Sequence, residues 1–216
     1  HDFVSNRVAE IMGRKREDLK IIVCHLGNGA SVSAVKNGKC VDTSMGLTPL
    51  EGLIMGTRSG DLDPAIIEYL CNHENLTVSE MLNILNKKSG VLGMSGGISS
   101  DFRDIKAAMD DGNEVAKQTL EAYAYRVAKY IGSYVAAMNG VDAITFTAGV
   151  GENAAWLRPM ICQYLGYLGV KLDEAASEKA VGEEMIISTA DSKVKLCVVP
   201  TNEELAIARE TLALIQ

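Results

Sequence analysis

The sequence predicts one α/β domain, a mixed β-sheet flanked by helices, and three observations carry that reading. Short β-branched apolar runs at 19–24 and 143–147 each empty into a glycine-bearing loop. An Asn-Gly turn joins two further strands, and a long helical stripe occupies 113–139.

Taken in order, residues 19–24 (LKIIVC) form a buried strand entering the loop HLGNGA. Residues 31–35 alternate Ser and Val, turn at Lys36-Asn37-Gly38-Lys39 and return through 40–43; Asn-Gly between such runs is a strong hairpin signal. After Pro64 the pattern becomes helical, first over 65–71. A second helix follows, capped by Thr77 with Glu80 at capping-box spacing and closed by Gly90. Residues 101–109 predict another helix, capped by Ser99 or Ser100. In the long helix from Asn113 to about Asn139, Leu120, Ala124, Val127, Ile131, Tyr134 and Met138 fall on one stripe. That stripe faces either the chain's own sheet or a second copy of the chain. Residues 143–147 (AITFT) are a buried strand, followed by AGVGENAA, where Gly149 and Gly151 free a turn and Asn153 can cap the next helix. Strands at 185–187 and 196–199 and a last helix over 203–214 complete the chain, with no linker or repeat dividing it.

With 216 residues, 47% of them hydrophobic, the chain can bury a substantial core. The balance of 21 basic against 28 acidic residues, net −7, leaves no overall positive field for nucleic acid or an anionic membrane, and neither is expected as a partner. Any phosphate must be held by local groups. Cysteines 24, 40, 71, 162 and 197 form no C-x-x-C pair, and an odd number fits no complete disulfide framework, so a reducing cytoplasm is expected. There is no apolar run of the roughly 18 residues a membrane span needs. A first residue of His rather than Met predicts that the natural start has been lost.

Glycine loops after strands let backbone N–H groups converge on an anion. His25-Leu26-Gly27-Asn28-Gly29 and Gly149-Val150-Gly151-Glu152-Asn153 are two such loops, though each is equally compatible with an ordinary tight turn. Neither matches the G-x-x-x-x-G-K-[ST] phosphate loop, and the second lacks the third glycine of a dinucleotide fingerprint. Between them, Gly56-Thr57-Arg58-Ser59-Gly60-Asp61 sets an arginine among small residues: a phosphoryl-matched fork, or a surface side chain on a loop. Ser95 to Asp104 (SGGISSDFRD) is either a nucleotide-lining turn or a well-capped helix start. Glu203 and Glu204 follow Pro200-Thr201-Asn202, where a carboxylate either holds Mg²⁺ or only complements a helix dipole. His25 is a hydrogen-bond donor to a transferring phosphate or a structural histidine.

In this order the clusters resemble the acetate kinase family. The segments that carry the resemblance are 25–64 (HLGNGASVSAVKNGKCVDTSMGLTPLEGLIMGTRSGDLDP), 87–105 (KKSGVLGMSGGISSDFRDI), 146–158 (FTAGVGENAAWLR) and 200–211 (PTNEELAIARET), together nearly the whole chain. The resemblance implies a ribonuclease H-like, actin-like ATPase domain, the second of two related domains with ATP between them. It implies that His25, Asn28 and Gly29 contact the ATP phosphates and that Arg58 is the catalytic arginine beside the transferring phosphoryl group. Asp101, Phe102, Arg103, Gly149, Val150, Gly151 and Asn153 would surround the adenosine, and Glu203 would position Mg²⁺ (or Mn²⁺). Such a protein phosphorylates acetate reversibly to acetyl phosphate with ATP, by direct in-line transfer, and pairs as a homodimer through this half.

His1-Asp2-Phe3-Val4-Ser5 resembles the end of the family's H-G-T-S-H-x-Y-V block, with Phe3 in place of the usual Tyr. The preceding half, with the family's carboxylate-gripping Arg, catalytic Asp and first His of that block, is expected to be absent, and the chain alone to be inactive. Propionate kinase, a non-enzymatic actin-like ATP-binding module and a dimerisation domain are the competing readings.

Overall fold

The computed structural model describes residues 1–201 and, beyond them, residues 204, 207, 208, 211, 212 and 214. Glu203, and with it most of the helix expected over 203–214, lies outside the described residues. Among the described residues the chain runs α1 (Asp2–Ile11), β1 (Lys20–Leu26), β2 (Ala30–Lys36), β3 (Lys39–Thr43), α2 (Ala65–Glu74), α3 (Val78–Lys87), α4 (Gly90–Met94) and α5 (Phe102–Asp110). It continues through α6 (Glu114–Met138), β4 (Ala143–Thr147), α7 (Ala148–Asn153), α8 (Leu157–Cys162), α9 (Glu174–Lys179), β5 (Met185–Ile186) and β6 (Lys195–Val198).

The strands form one mixed sheet in the order β3-β2-β1-β4-β6-β5. β1, β4 and β6 are parallel neighbours, while β2, β3 and β5 join antiparallel. The β2–β3 turn places Asn37 at φ 54° and Gly38 at φ 76°, both positive as a two-residue hairpin turn requires. Alternation along β1 serves both faces. Ile22, Cys24 and Leu26 join the core under α6, whereas Ile21 and Val23 pack with Val4 and Val8 of α1.

The stripe on α6 is consumed within the chain. Leu120, Ala124, Val127, Ile131 and Met138 have no exposed area and Tyr134 only 4%, so the sheet and neighbouring helices, not a second copy, cover it. Asn113 caps this helix by accepting from the Ala116 amide, and Asn139 ends it in the left-handed conformation at φ 56°. The Thr77–Glu80 capping box on α3 is present in both directions.

Three local expectations are corrected. Gly90 does not close α3, which ends at Lys87 with the Lys88 amide on the Ile84 carbonyl; Gly90 instead opens α4 at φ +61°. The cap of α5 is Asp101, whose carboxylate accepts from the Arg103 amide, while Ser99 Oγ accepts from the Asp101 amide and donates to Asp104. The AGVGEN segment is no open turn but the helix α7, and Asn153 is its last residue, with Nδ2 donating to the Gly149 carbonyl at 2.8 Å. No described helix is long and apolar enough to cross a membrane.

Candidate functional site

Parallel pairing of β1 with β4 puts His25 in register with Thr147, so the two glycine segments leave the sheet side by side at the carboxyl ends of adjacent strands. In open α/β sheets that edge is where ligands bind. Entry into α7 is abrupt. Ala148 takes φ +65°, a conformation that strains any residue with a Cβ, and one turn later Gly151 passes so close to β4 that an added Cβ would sit 3.3 Å from the Phe146 carbonyl carbon. Ala148→Gly is therefore expected to stabilise the fold by about 0.5–1 kcal/mol, raising the melting temperature by roughly 1–4 °C in a circular dichroism melt; a lower melting temperature would contradict the strain.

A cleft of about 630 Å³ opens between these segments. Gly27 and Asn28 from the β1–β2 turn form one wall, and Ser100, Asp101, Phe102 and Arg103 at the start of α5 form a second. The third wall is Gly149, Val150 and Asn153 on α7, continued by Ala154 and Trp156. Phe102 is held from behind by an edge-on Tyr123 at 4.7 Å between ring centres. The Asp101 carboxylate is depressed to about 2, first by the side-chain bonds from Arg103 and then by the Arg103 amide, so both groups stay charged at neutral pH and largely cancel.

Of the residues marked in the sequence, Asn28, Asp101, Phe102, Arg103, Gly149, Val150 and Asn153 line this cleft; His25, Gly29, Arg58 and Gly151 do not. Gly151 is spent on the contact with Phe146. Gly29 and Arg58 adjoin one another beyond Asn28: the place of a Cβ on Gly29 is 3.3 Å from Arg58 Nη1, which itself reaches the Pro49 carbonyl at 3.3 Å and Met55 Sδ at 3.5 Å. The Gly56 amide donates to the Asn28 carbonyl at 2.8 Å, docking the 56–60 loop onto the β1–β2 turn. From the other side, the amides of Ser89, Val91 and Leu92 donate to the carbonyls of Thr57, Met55 and Gly56, so the start of α4 fixes the arginine loop. His25 lies on the sheet face of Ile21 and Val23. Its ring is 5.9 Å from that of His1, whose Nε2 is 2.8 Å from Ser31 Oγ.

Sequence reasoning marked Ser100 only as part of the 95–104 cluster and missed Ala154 and Trp156. Trp156, the one tryptophan of the sequence, has Lys106 Nζ 5.8 Å from its ring centre. No helical spacing marks it, because α7 ends at Asn153 and Trp156 lies in the turn that opens α8. Among the described residues no group of three or more His, Cys, Asp or Glu side chains is placed to hold a metal ion.

The Acetokinase family model matches residues 1–209. The acetate kinase of Agathobacter rectalis is 64% identical over 215 residues, covering 100% of this chain and 54% of that protein. The crystal structure of Porphyromonas gingivalis acetate kinase superposes with a TM-score of 0.97 at 47% identity, again over 100% of this chain and 54% of the other. A propionate kinase from Francisella tularensis gives a TM-score of 0.90 at 43% identity, over 97% of this chain and 53% of the other. The chain thus spans about half the length of the relatives it matches, and its mixed sheet flanked by helices is the actin-like ATPase fold that they share. With a family model spanning nearly all of its length, the chain belongs to the acetokinase family.

Proposed function

We propose that the protein is an acetate kinase, transferring a phosphoryl group between ATP and acetate, with this chain supplying the nucleotide side. The observation that carries the reading is the continuity of the cleft with Asn28, Gly29 and Arg58, which sets a guanidinium beside one end of a slot sized for a nucleoside. In this reading the cleft takes the adenosine, with its base against Val150, Ala154 and Trp156. His25 and the Asn28 and Gly29 backbone hold the phosphates, which places the γ-phosphoryl group toward Arg58. The planar fork of Arg58 stabilises the equatorial oxygens as charge redistributes during in-line attack by the carboxylate. Positioning and charge neutralisation suffice, and no covalent enzyme intermediate is required.

Mg²⁺ (or Mn²⁺) is proposed to arrive with ATP, because Mg²⁺ is commonly held by substrate phosphates plus one or two carboxylates. When bound it neutralises phosphate charge; Glu203 is the proposed protein contact. A homodimer is proposed on family membership alone, since the α6 stripe is already covered, and light scattering at micromolar concentration should give twice the protomer mass. The five free cysteines support a cytoplasmic location.

ATP is expected to change the fluorescence of Trp156 saturably in the 216-residue chain, while a hydroxamate assay of that chain alone gives no acetyl phosphate. A flat titration would refute the nucleotide reading. The propionate kinase likeness supports a second acceptor, so rates of the full-length protein with acetate, propionate and butyrate separate the two kinases, and activity with none leaves an ATP-binding module.

A further inference from the structure

Arg158, in the first turn of α8, is 1% exposed, and among the described residues no carboxylate pairs with it. Its guanidinium bonds instead to the ends of two helices. Nε donates to the Gly151 carbonyl at 3.1 Å and Nη2 to the Glu152 carbonyl at 2.6 Å, both in the last turn of α7. Nη1 donates to the Ser177 carbonyl at 2.6 Å and hydroxyl at 3.2 Å, and Nη2 to the Ala180 carbonyl at 2.7 Å, at the end of α9. Carbonyls in the last turn of a helix have no partner within it, and here one planar fork satisfies four of them at once.

The consequence falls on the cleft. α7 supplies Gly149, Val150 and Asn153 to one wall, and Asn153 is itself tied to the Gly149 carbonyl. Behind that wall α7 is pressed onto Phe146 through Gly151 and pinned by Arg158. A further latch joins it to the chain beyond β6, where Glu152 Oε1 accepts from the Thr201 amide at 2.8 Å and hydroxyl at 2.7 Å. With φ +65° at Ala148 strained on the strand side, these restraints help to hold α7 in place.

We propose that Arg158 is a positioning residue for the nucleotide: without touching the cleft, it sets ATP affinity by clamping α7 to the end of α9. The proposal rests on the nucleotide reading of the cleft. In the full-length protein Arg158→Lys keeps the charge and loses the fork, so the KM for ATP should rise about tenfold while kcat at saturating ATP and the KM for acetate stay within twofold, measured well below the variant's melting temperature. A purely structural arginine would lower kcat with the inactive fraction and leave the KM for ATP unchanged, and that result overturns the proposal.

Should the variant not fold, hydrogen exchange on the unmodified protein decides. ATP should slow exchange at 149–153 and, through the clamp, at 177–182, although Ser177 and Ala180 line no part of the cleft. Protection at 149–153 alone refutes the clamp and leaves the nucleotide reading standing. Absence of protection at both, with no Trp156 response, removes the nucleotide reading and the clamp with it.

Discussion

Arg58→Ala is expected to lower acetyl phosphate formation by about 10³-fold while leaving the KM for ATP within a few-fold of the parent. The division follows from placement. Arg58 stands beyond Gly29, outside the cleft walls, so on the proposed function the adenosine would keep its contacts while the phosphoryl group would lose the cation facing it. Arg58→Lys should recover little, because an ammonium cannot offer two parallel N–H bonds. The contacts of Arg58 with the Pro49 carbonyl and Met55 Sδ are long and weak, so the folded state should be almost unaffected and the melting curves should superimpose. Steady-state hydroxamate assays of the full-length protein at saturating ATP check this; a kcat loss below tenfold would take Arg58 out of the reaction.

Gly90→Ala should destabilise the fold by on the order of 3 kcal/mol, roughly 6–12 °C in melting temperature for a chain of this size. Gly90 sits at φ +61°, and an added Cβ would collide with the Met55 carbonyl oxygen and lie 2.6 Å from the Arg58 carbonyl oxygen and 3.0 Å from the Arg58 nitrogen. All three obstacles are backbone, so no side-chain rotation relieves them. Either the αL conformation or the Met55–Arg58 segment must give way, and activity should fall further than stability alone explains. Gly96→Ala is the control: Gly96 has a similar φ of +71° with nothing within 4 Å, so only the backbone cost of about 1 kcal/mol applies. Equal losses in the two variants would refute the packing argument.

What the sequence makes legible is what one segment settles by itself. The β1 run, the Asn37-Gly38 turn, the Thr77–Glu80 box and the α6 stripe each carry a complete local signal, and the structure matches them closely. Where two local signals compete, reading fails. Gly149 and Gly151 argue for a turn, but Phe146 needs a close neighbour on its carbonyl side and the segment coils into α7. Asp101 outcompetes Ser99 and Ser100 as the α5 cap because its carboxylate holds the Arg103 side chain as well as the amide. The cleft is legible as a set of loops, not as a shape. That His25 shares the α1 face with Ile21 and Val23 follows from the period of two along β1, whereas that Arg58 lies against Gly29 follows from chain crossing, which no spacing in the sequence encodes.

The Arg158 clamp behind α7, unlike the Glu152 latch beside it, is built from groups whose charge does not change in ordinary buffers. Carbonyl and hydroxyl acceptors do not titrate, and burial draws the Arg158 guanidinium down only to about 10. Below that value the folded and unfolded chains both hold its proton, so this group adds no pH dependence to stability; above it the folded chain releases the proton first, and its contribution to stability then rises with pH. Enclosed from solvent, the bonds are also little screened by ions. An ATP affinity that drifts with acidity or ionic strength therefore originates outside the Arg158 clamp, on the open side of the cleft or at the Glu152 carboxylate that holds Thr201.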